Sequence, residues 1–334
     1  MNHAVVYVAL QQFCEYDERP RKLLLGAGFE VRQNALGRRL RQEDLLAMLQ
    51  DADAVIAGVE PYRLELLEAL PRLRCISRCG VGTDSIDLEA AQRLGIHVCT
   101  TGDEVIEPVA QMTVGMILAL ARNFPLHLED SRRGLWKKHA GFLLSEWTIG
   151  LVGFGRIGRA VERLLRPFGS RILVADPAVK SADDLPGGVE LRDLASLLSQ
   201  ADVVSLHASR PQQEGPLMSR QQLAQMKRGS YLVNTARGFL LDEAALLEAL
   251  SSGHLAGAAI DVFEAEPYTG PLSQFPRVLC TPHVASLTRA SRIAMEGRAA
   301  QQVIEWFAQA HASRVRVGTM PELHPIQTRR SSGQ

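Results

Sequence analysis

A G-x-G-x-x-G stretch at residues 153–158 restricts the fold more than any other feature of this chain. An apolar run of strand length comes directly before it, and a helical pattern, 156–166, follows. A glycine-rich turn between a buried strand and a helix is typical of a dinucleotide-binding α/β domain. In such a turn Gly153 permits the tight bend, Gly155 lets a pyrophosphate approach the backbone, and Gly158 lets the helix pack on the strand.

A carboxylate follows at the distance that such a domain requires. Asp176 lies eighteen residues after Gly158, at the end of the next apolar run. There it would accept hydrogen bonds from the adenosine ribose hydroxyls and repel a 2′-phosphate, which predicts NAD as the cofactor. The alternative is a turn aspartate before Pro177, because Asp-Pro is common in turns. The order of strand, glycine turn, helix, strand and aspartate favours the cofactor interpretation.

Short apolar runs alternate with helix-length amphipathic stretches along the chain, which predicts an α/β protein with parallel sheets. Its 334 residues are enough for two domains of roughly 150 residues each. A long apolar-faced stretch, 108–122, predicts a buried helix between two series of strands. The first series is 5–9, 54–57, 74–77 and 96–99, and the second is 148–152, 171–175, 203–207, 231–234, 258–261 and 278–281. Six strands with crossover helices predict a doubly wound domain in the second half.

Composition excludes several classes of function. Lysine plus arginine and aspartate plus glutamate number 37 each, so the chain lacks the positive excess of a nucleic-acid binder. The longest apolar stretch, 114–121, is far shorter than the roughly 20 residues that span a bilayer, so no membrane association is expected. The five cysteines are scattered and lack zinc-site spacing, which predicts reduced thiols, a cytoplasmic location and no metal.

Three polar segments lie where strands of the second series end, and each contains a residue suited to hydride chemistry. They contain Arg237, Glu266 and His283. A guanidinium binds a carboxylate bidentately, an imidazole moves a hydroxyl proton, and a carboxylate orients that imidazole. Taken singly, these residues are better explained as a surface ion pair, a turn carboxylate and a loop histidine. At three successive strand ends they predict a site for a 2-hydroxy or 2-oxo acid.

These motifs resemble the D-isomer-specific 2-hydroxyacid dehydrogenases, a family that includes D-3-phosphoglycerate dehydrogenases. The resemblance covers nearly the whole chain, from R-C-G-V-G-T-D-S-I-D at 78–87 through G-L-W at 134–136 to T-P-H at 281–283. It implies that Arg237 binds the substrate carboxylate, that His283 is the acid/base, and that Glu266 is its partner. It further implies a homodimer formed through the nucleotide domain.

The resemblance also implies residues that contact the ligands. The predicted cofactor-binding residues are Gly153, Gly155, Arg156, Ile157, Gly158, Asp176, His207, Thr235, Asp261 and His283. The predicted substrate-binding residues are Arg78, Val81, Gly82 and Arg237. The implied domains are a discontinuous, flavodoxin-like substrate domain (1–100 with 287–320), a Rossmann NAD-binding domain (101–286) and a mobile tail (321–334).

The predicted function is an NAD-dependent oxidoreductase that transfers a hydride between nicotinamide and C2 of a small D-2-hydroxy or 2-oxo acid. Ala57 stands where phosphoglycerate dehydrogenases usually place a phosphate-binding arginine, and Glu60 follows nearby. Arg63 or Arg78 could compensate, so a D-3-phosphoglycerate dehydrogenase stays an alternative. Two further alternatives are a phosphite dehydrogenase and an NAD(H)-sensing, corepressor-like binding protein.

Overall fold

The computed structural model describes residues 4–209 and 215–317, with side chains as far as residue 310. The described residues form two compact units. The first unit lies within Met1–Gly102 and Arg292–Gln334, and the second within Asp103–Ser291. The predicted tail, 321–334, lies outside the described residues.

The first unit is built on a five-stranded parallel sheet. Its elements are β1 (Val5–Val8), α1 (Arg19–Gly26), β2 (Glu30–Gln33), α2 (Gln42–Met48), β3 (Ala54–Ala57), α3 (Leu64–Glu68), β4 (Cys75–Arg78), α4 (Leu88–Arg93) and β5 (His97–Thr100). The strand order is β2-β1-β3-β4-β5, which is the flavodoxin-like order. In such sheets the ligand crevice lies where the order reverses, here at the carboxyl ends of β1 and β3.

The second unit contains a seven-stranded parallel sheet. Its elements are α5 (Ile106–Ala121), α6 (Phe124–Arg132), β6 (Thr148–Val152), α7 (Arg156–Leu165), β7 (Arg171–Ala175), β8 (Val189–Leu191), α8 (Leu194–Gln200), β9 (Val203–Leu206), α9 (Arg220–Gln225), β10 (Tyr231–Asn234), α10 (Glu243–Ser251), β11 (Gly257–Ile260) and β12 (Val278–Cys280). The strand order is β12-β11-β10-β9-β6-β7-β8, the Rossmann order with one added strand. Its reversal lies between β6 and β9.

A last helix, α11 (Arg289–Val317), brings the chain back into the first unit, to which the helix belongs from Arg292 onward. The side-chain amide of Gln302 accepts a hydrogen bond from Ser77 Oγ at 3.0 Å and donates to the Thr100 carbonyl at 2.9 Å. One side chain of the helix is thereby bonded to β4 and β5.

Alternate residues of each central strand of the second unit enter two different apolar layers. On β7, Leu173 belongs to one buried cluster, whereas Ile172 and Val174 belong to the other. This alternation follows from the two-residue period of a strand, and it covers both faces of the sheet. Both faces are buried, so the central strands read as continuous apolar runs and were predictable from the sequence.

The structure confirms the predicted fold class of two doubly wound parallel-sheet domains. It differs from the prediction at the sheet edges, since β2 and β8 were not among the predicted strands. The second unit therefore has seven strands rather than six. Among the described residues no single helix has the length and apolar character to cross a bilayer, although the bent pair α5 and α6 passes by length and composition together.

Candidate active site

The glycine turn after β6 brings three parts of the chain into backbone contact. Gly153 has a φ of +95°, and a Cβ at this position would lie 2.6 Å from the His207 carbonyl carbon. A Cβ on Gly158 would lie 2.4 Å from the Gly153 carbonyl oxygen. Gly155 is exposed, and a Cβ there would meet nothing within 4 Å. Two of these glycines are thus required by packing, whereas the third leaves open space in front of α7.

Asp176 follows β7 and is tied to the same turn. Its Oδ2 accepts a hydrogen bond from the Phe154 backbone N–H at 2.6 Å, and its Oδ1 accepts one from Ala178 N–H at 2.8 Å. The carboxylate is therefore held beside the glycine turn, at the end of the strand next to β6. An ionised carboxylate has further lone pairs with which it can accept hydrogen bonds from ribose hydroxyls.

Three other predicted cofactor residues lie at this carboxyl edge. Arg156 begins α7 and forms an ion pair with Asp103. Ile157 is the second residue of the same helix and is half-buried. His207 follows β9, and burial lowers the pKa of its imidazole to about 4, so the ring is neutral at neutral pH. Its Nε2 lies 2.9 Å from Ser205 Oγ.

These residues fit a bound dinucleotide. Open space lies at Gly155, the residue before α7, and the first N–H groups of a helix favour a pyrophosphate. Asp176 would supply an acceptor for the ribose hydroxyls, and the next residue is Pro177 rather than a cation. NAD would be held by these groups.

Arg237 extends from the loop after β10, and Asn234 fixes that loop. The Asn234 side chain accepts from Ala236 N–H at 3.1 Å and donates to the Arg237 carbonyl at 2.9 Å. A Cβ on Gly238 would lie 1.9 Å from the carbonyl carbon of Phe263, so the loops after β10 and β11 pack backbone to backbone. The Arg237 guanidinium is half-buried and donates through Nη1 to the Ala236 carbonyl at 2.7 Å.

Glu266 and His283 meet side chain to side chain, although they come from loops after different strands. His283 Nδ1 lies 2.9 Å from Glu266 Oε2 and 3.1 Å from Oε1. Because an ionised carboxylate only accepts hydrogen bonds, Nδ1 carries the proton in this contact and Nε2 is left for a ligand. The imidazole is 41% exposed, so it is accessible to solvent and ligands.

Thr235 is buried, and its hydroxyl lies 2.8 Å from that of Thr113 on α5. The Thr113 hydroxyl donates to the Val109 carbonyl, so Thr235 is the donor between the two threonines. Asp261, also buried, bonds to the segment that contains His283. Sequence reasoning missed Thr113 as a contributor to this edge, and it gave no role to Asn234 and Gly238 in the polar segment that contains Arg237. Their signals were weak, since a threonine in an apolar helix and one more glycine are common.

The predicted substrate loop lies in the first unit, after β4. Arg78 donates through Nε to the Gly82 carbonyl at 3.1 Å and through Nη1 to the Cys79 carbonyl. Gly80 has a φ of +142°, a backbone conformation that residues with a Cβ rarely adopt, which explains the glycine there. Val81 is exposed and Gly82 is half-buried. Arg78 therefore stabilises the conformation of this loop through two of its guanidinium N–H groups.

The loop after β3 carries a buried acid at the position where the first unit reverses its strand order. Glu60 is 3% exposed, and its Oε2 accepts from Gly58 N–H at 2.7 Å. Burial raises the pKa of this carboxyl above its usual range. The guanidinium of Arg39 donates to the carbonyl of Val59, next in the chain to Glu60. Arg39 is thus a cation close in the fold to the loop of Glu60. Only two other cations were predicted from the sequence to compensate for Ala57, namely Arg63 and Arg78.

The second unit has the features of an NAD-binding α/β domain with an arginine and a carboxylate–imidazole pair at its crevice. Comparison with known proteins identifies the family. Residues 114–285 match the NAD-binding domain of the D-isomer specific 2-hydroxyacid dehydrogenases. The chain belongs to this family, and the predictions of the family and of NAD as its cofactor are confirmed.

Individual relatives cover different shares of this sequence. A glyoxylate reductase of Thermofilum pendens is 38% identical over 79% of the chain and 80% of the relative. A D-3-phosphoglycerate dehydrogenase of Methanocaldococcus jannaschii is 37% identical over 82% of the chain, which spans about half (53%) of that relative. The crystal structure of a D-lactate dehydrogenase of Aquifex aeolicus, complexed with NAD and lactic acid, superposes with a TM-score of 0.79 and 26% identity, covering 94% of this chain and 98% of that one.

Proposed function

We propose that this protein is an NAD-dependent oxidoreductase that interconverts a small D-2-hydroxy acid and the corresponding 2-oxo acid. The observation that carries the proposal is the His283–Glu266 hydrogen bond, at the same sheet edge as Arg237 and the glycine turn. A carboxylate–imidazole pair beside a dinucleotide site provides a proton donor and acceptor next to a redox cofactor. Membership of the family supports the same reaction class.

Each residue of the set has a distinct part in this chemistry. NAD(H), when bound, supplies the hydride acceptor or donor. Arg237 binds the substrate carboxylate through paired N–H donors, which fixes the orientation of C2. His283 gives a proton from Nε2 to the C2 oxygen during reduction and takes it back during oxidation. Glu266 accepts from Nδ1, so it sets the ring orientation and stabilises the imidazolium.

Turnover separates this proposal from a binding protein that senses NAD(H). Purified protein is mixed with NADH and a panel of short 2-oxo acids, and the NADH absorbance is followed. We expect turnover at ordinary enzyme rates with at least one acid. Binding of NADH without turnover of any acid would favour the sensing function instead.

We further propose that the substrate is small and unphosphorylated. A phosphate needs cationic or amide donors, but Ala57 ends β3 and the amide of Gly58 is bonded to Glu60. The glyoxylate reductase above, of which this chain covers 80%, supports the same substrate class. Arg78, Val81 and Gly82 stay predicted substrate contacts.

Arg39 and the phosphoglycerate dehydrogenase relative favour one competing substrate, 3-phosphohydroxypyruvate. Steady-state kinetics on this acid, glyoxylate and hydroxypyruvate decide between them. We expect the highest kcat/KM with an unphosphorylated acid. A kcat/KM for phosphohydroxypyruvate tenfold above the others would reverse the assignment.

We propose that the protein forms a homodimer through its second unit. The segment 124–143, named here the apolar arm, exposes large apolar side chains that include Phe124, Leu128, Trp136 and Leu143. Trp136 is 94% exposed, which is unusual for an indole on a monomer surface. A pocket of about 150 Å³ lies beside the start of the arm and is lined by Leu120, Asn123, Pro125, Leu126, Tyr231, Ala256 and Arg277. In a two-fold interface both copies use the same surface. The ring of each copy can then pack into the concave patch of the other, so the contact is made twice.

We also infer a cytoplasmic location. The five cysteines, Cys14, Cys75, Cys79, Cys99 and Cys280, are free thiols. Unpaired thiols are typical of reducing compartments. Cell fractionation with an antibody against the protein tests this, and recovery in an exported fraction would contradict it.

A further inference from the structure

A buried carboxylate holds the segment that carries His283. Asp261 follows β11 and is fully buried. Its Oδ1 accepts hydrogen bonds from Thr281 Oγ1 at 2.5 Å and from Val284 N–H at 2.9 Å. Its Oδ2 accepts one from Ala285 N–H at 2.9 Å. All three donors belong to the short segment on either side of His283.

The backbone of His283 needs such support. Its φ is +54°, in the left-handed region that a residue with a Cβ rarely adopts. The His283 N–H donates to the Asp261 carbonyl at 2.8 Å, and the next two N–H groups donate to the Asp261 carboxylate. Successive N–H groups in such a turn form a concavity for an anion, and here the anion is a side chain of the same protein.

We infer that Asp261 is a positioning residue, which holds the His283 imidazole against Glu266 through the backbone on both sides of it. This inference rests on the proposed function of His283 as the acid/base. It is an alternative to the cofactor contact that the family resemblance implies for Asp261, since both carboxylate oxygens are bonded to the segment around His283. The two roles differ in what they control, because positioning affects kcat, whereas a cofactor contact affects the affinity for NADH.

Asp261→Asn tests the inference. An asparagine keeps the size, but its NH₂ group cannot accept a hydrogen bond, so the backbone N–H that faces it, that of Val284 or of Ala285, loses its acceptor. We expect kcat to fall roughly 10- to 100-fold, since a small misplacement of an acid/base group has effects of that order. The Kd of NADH, measured by quenching of protein fluorescence, should stay within twofold. An unchanged kcat, or a loss of NADH affinity as large as the loss of kcat, would overturn the inference.

A milder variant covers the case in which Asp261→Asn does not fold. Thr281→Val removes one of the three hydrogen bonds and keeps the side-chain volume, whereas Thr281→Ser restores the hydroxyl. We expect kcat to fall severalfold in the valine variant and to recover in the serine variant, with KM little changed. Equal kcat values in both variants would contradict a role for the carboxylate network.

A readout that needs no substrate separates failure of this inference from failure of the proposed function. In protein labelled at histidine nitrogen, the Nδ1 proton shared with Glu266 should give a low-field NMR signal, identified by its loss in His283→Ala. We expect the signal to weaken in Thr281→Val and to return in Thr281→Ser. If no 2-oxo acid is turned over, the proposed function fails, and the signal still decides whether the network positions the ring. A signal of equal strength in both threonine variants would refute positioning.

Discussion

The contact between His283 and Glu266 leads to the first prediction. We expect His283→Ala to lower kcat by roughly 10²- to 10⁴-fold, because the C2 oxygen loses its proton donor and acceptor. Glu266→Gln is the matched variant. Its carbonyl can still accept from Nδ1, but it lacks the charge that stabilises the imidazolium, so its kcat should fall less. Steady-state NADH kinetics measure both, and wild-type turnover by His283→Ala would disprove the assignment.

Asp176 is expected to determine cofactor choice, because its carboxylate is fixed by two backbone N–H groups. Wild-type protein should use NADH far better than NADPH, since a 2′-phosphate beside a carboxylate is repelled. Asp176→Asn keeps the shape and removes the charge, so the ratio of kcat/KM for NADPH to that for NADH should rise about tenfold or more. Equal use of both cofactors by the wild type would contradict the prediction.

Glu60 is expected to act against phosphorylated substrates, because its carboxylate accepts the hydrogen bond of the Gly58 N–H, which a phosphate would otherwise need. Glu60→Gln should raise kcat/KM for phosphohydroxypyruvate relative to hydroxypyruvate. Burial raises the pKa of this carboxyl, so its charge, and with it the discrimination, should increase as pH rises through that pKa. The glutamine variant should lose this pH dependence. Arg39→Gln is the control, and it should lower the phosphorylated ratio instead.

At this residue scale, sequence reasoning identified side chains whose chemistry is distinctive. Arg237, Glu266 and His283 stand at strand ends, where the parallel topology brings them to one edge. It missed contacts between residues that are far apart in the sequence, such as Thr113 and Thr235, which are separated by 122 positions. No local pattern encodes such a pair. The functional roles of all these residues stay predictions until the variants are measured.

At the scale of secondary-structure elements, all central strands were predicted, as were the edge strands β5 and β12, whereas the edge strands β2 and β8 were not. The strand β2 has the sequence E-V-R-Q and is mostly exposed, and β8 is a three-residue strand with one neighbour. An edge strand can have less apolar surface to bury, and these two lack the apolar run by which the other strands were recognised. The helix α6 has no buried residue and was missed for the same reason.

The strand-to-helix turn gives a prediction at this scale. Gly158→Ala forces a Cβ to within 2.4 Å of the Gly153 carbonyl oxygen, so α7 must shift. We expect a loss of about 1–3 kcal/mol in the free energy of unfolding, as for other overpacked sites. Gly155→Ala is the matched control, since its Cβ meets nothing within 4 Å, and only the smaller cost of an alanine at the helix N-cap is expected. The control should instead weaken NADH binding, because its methyl enters the space for the pyrophosphate. Equal stability of both variants, measured by denaturant unfolding, would contradict the prediction that a Cβ at Gly158 overpacks the turn.

At the scale of the whole molecule, the apolar arm is held in place by the chain's own backbone. Asn123 donates to the Ala140 carbonyl at 2.8 Å, and Phe142 N–H donates to the Ala121 carbonyl at 2.9 Å. Both bonds tie the carboxyl end of the arm back to the junction of α5 and α6, where its amino end begins, so the arm is a closed segment. An ordered apolar surface is better suited to a permanent partner than one that must first be immobilised.

This arm gives the last prediction. Sedimentation equilibrium of the purified protein should report twice the mass of one chain. Trp136→Ser combined with Leu143→Glu should shift the mass towards that of a single chain, because a buried charge and a lost indole both weaken an apolar interface. Leu88→Ser, at an exposed leucine on α4 of the first unit, is the control and should leave the dimer intact. A monomeric wild type, or a double variant that stays dimeric, would show that the arm is not the interface between copies.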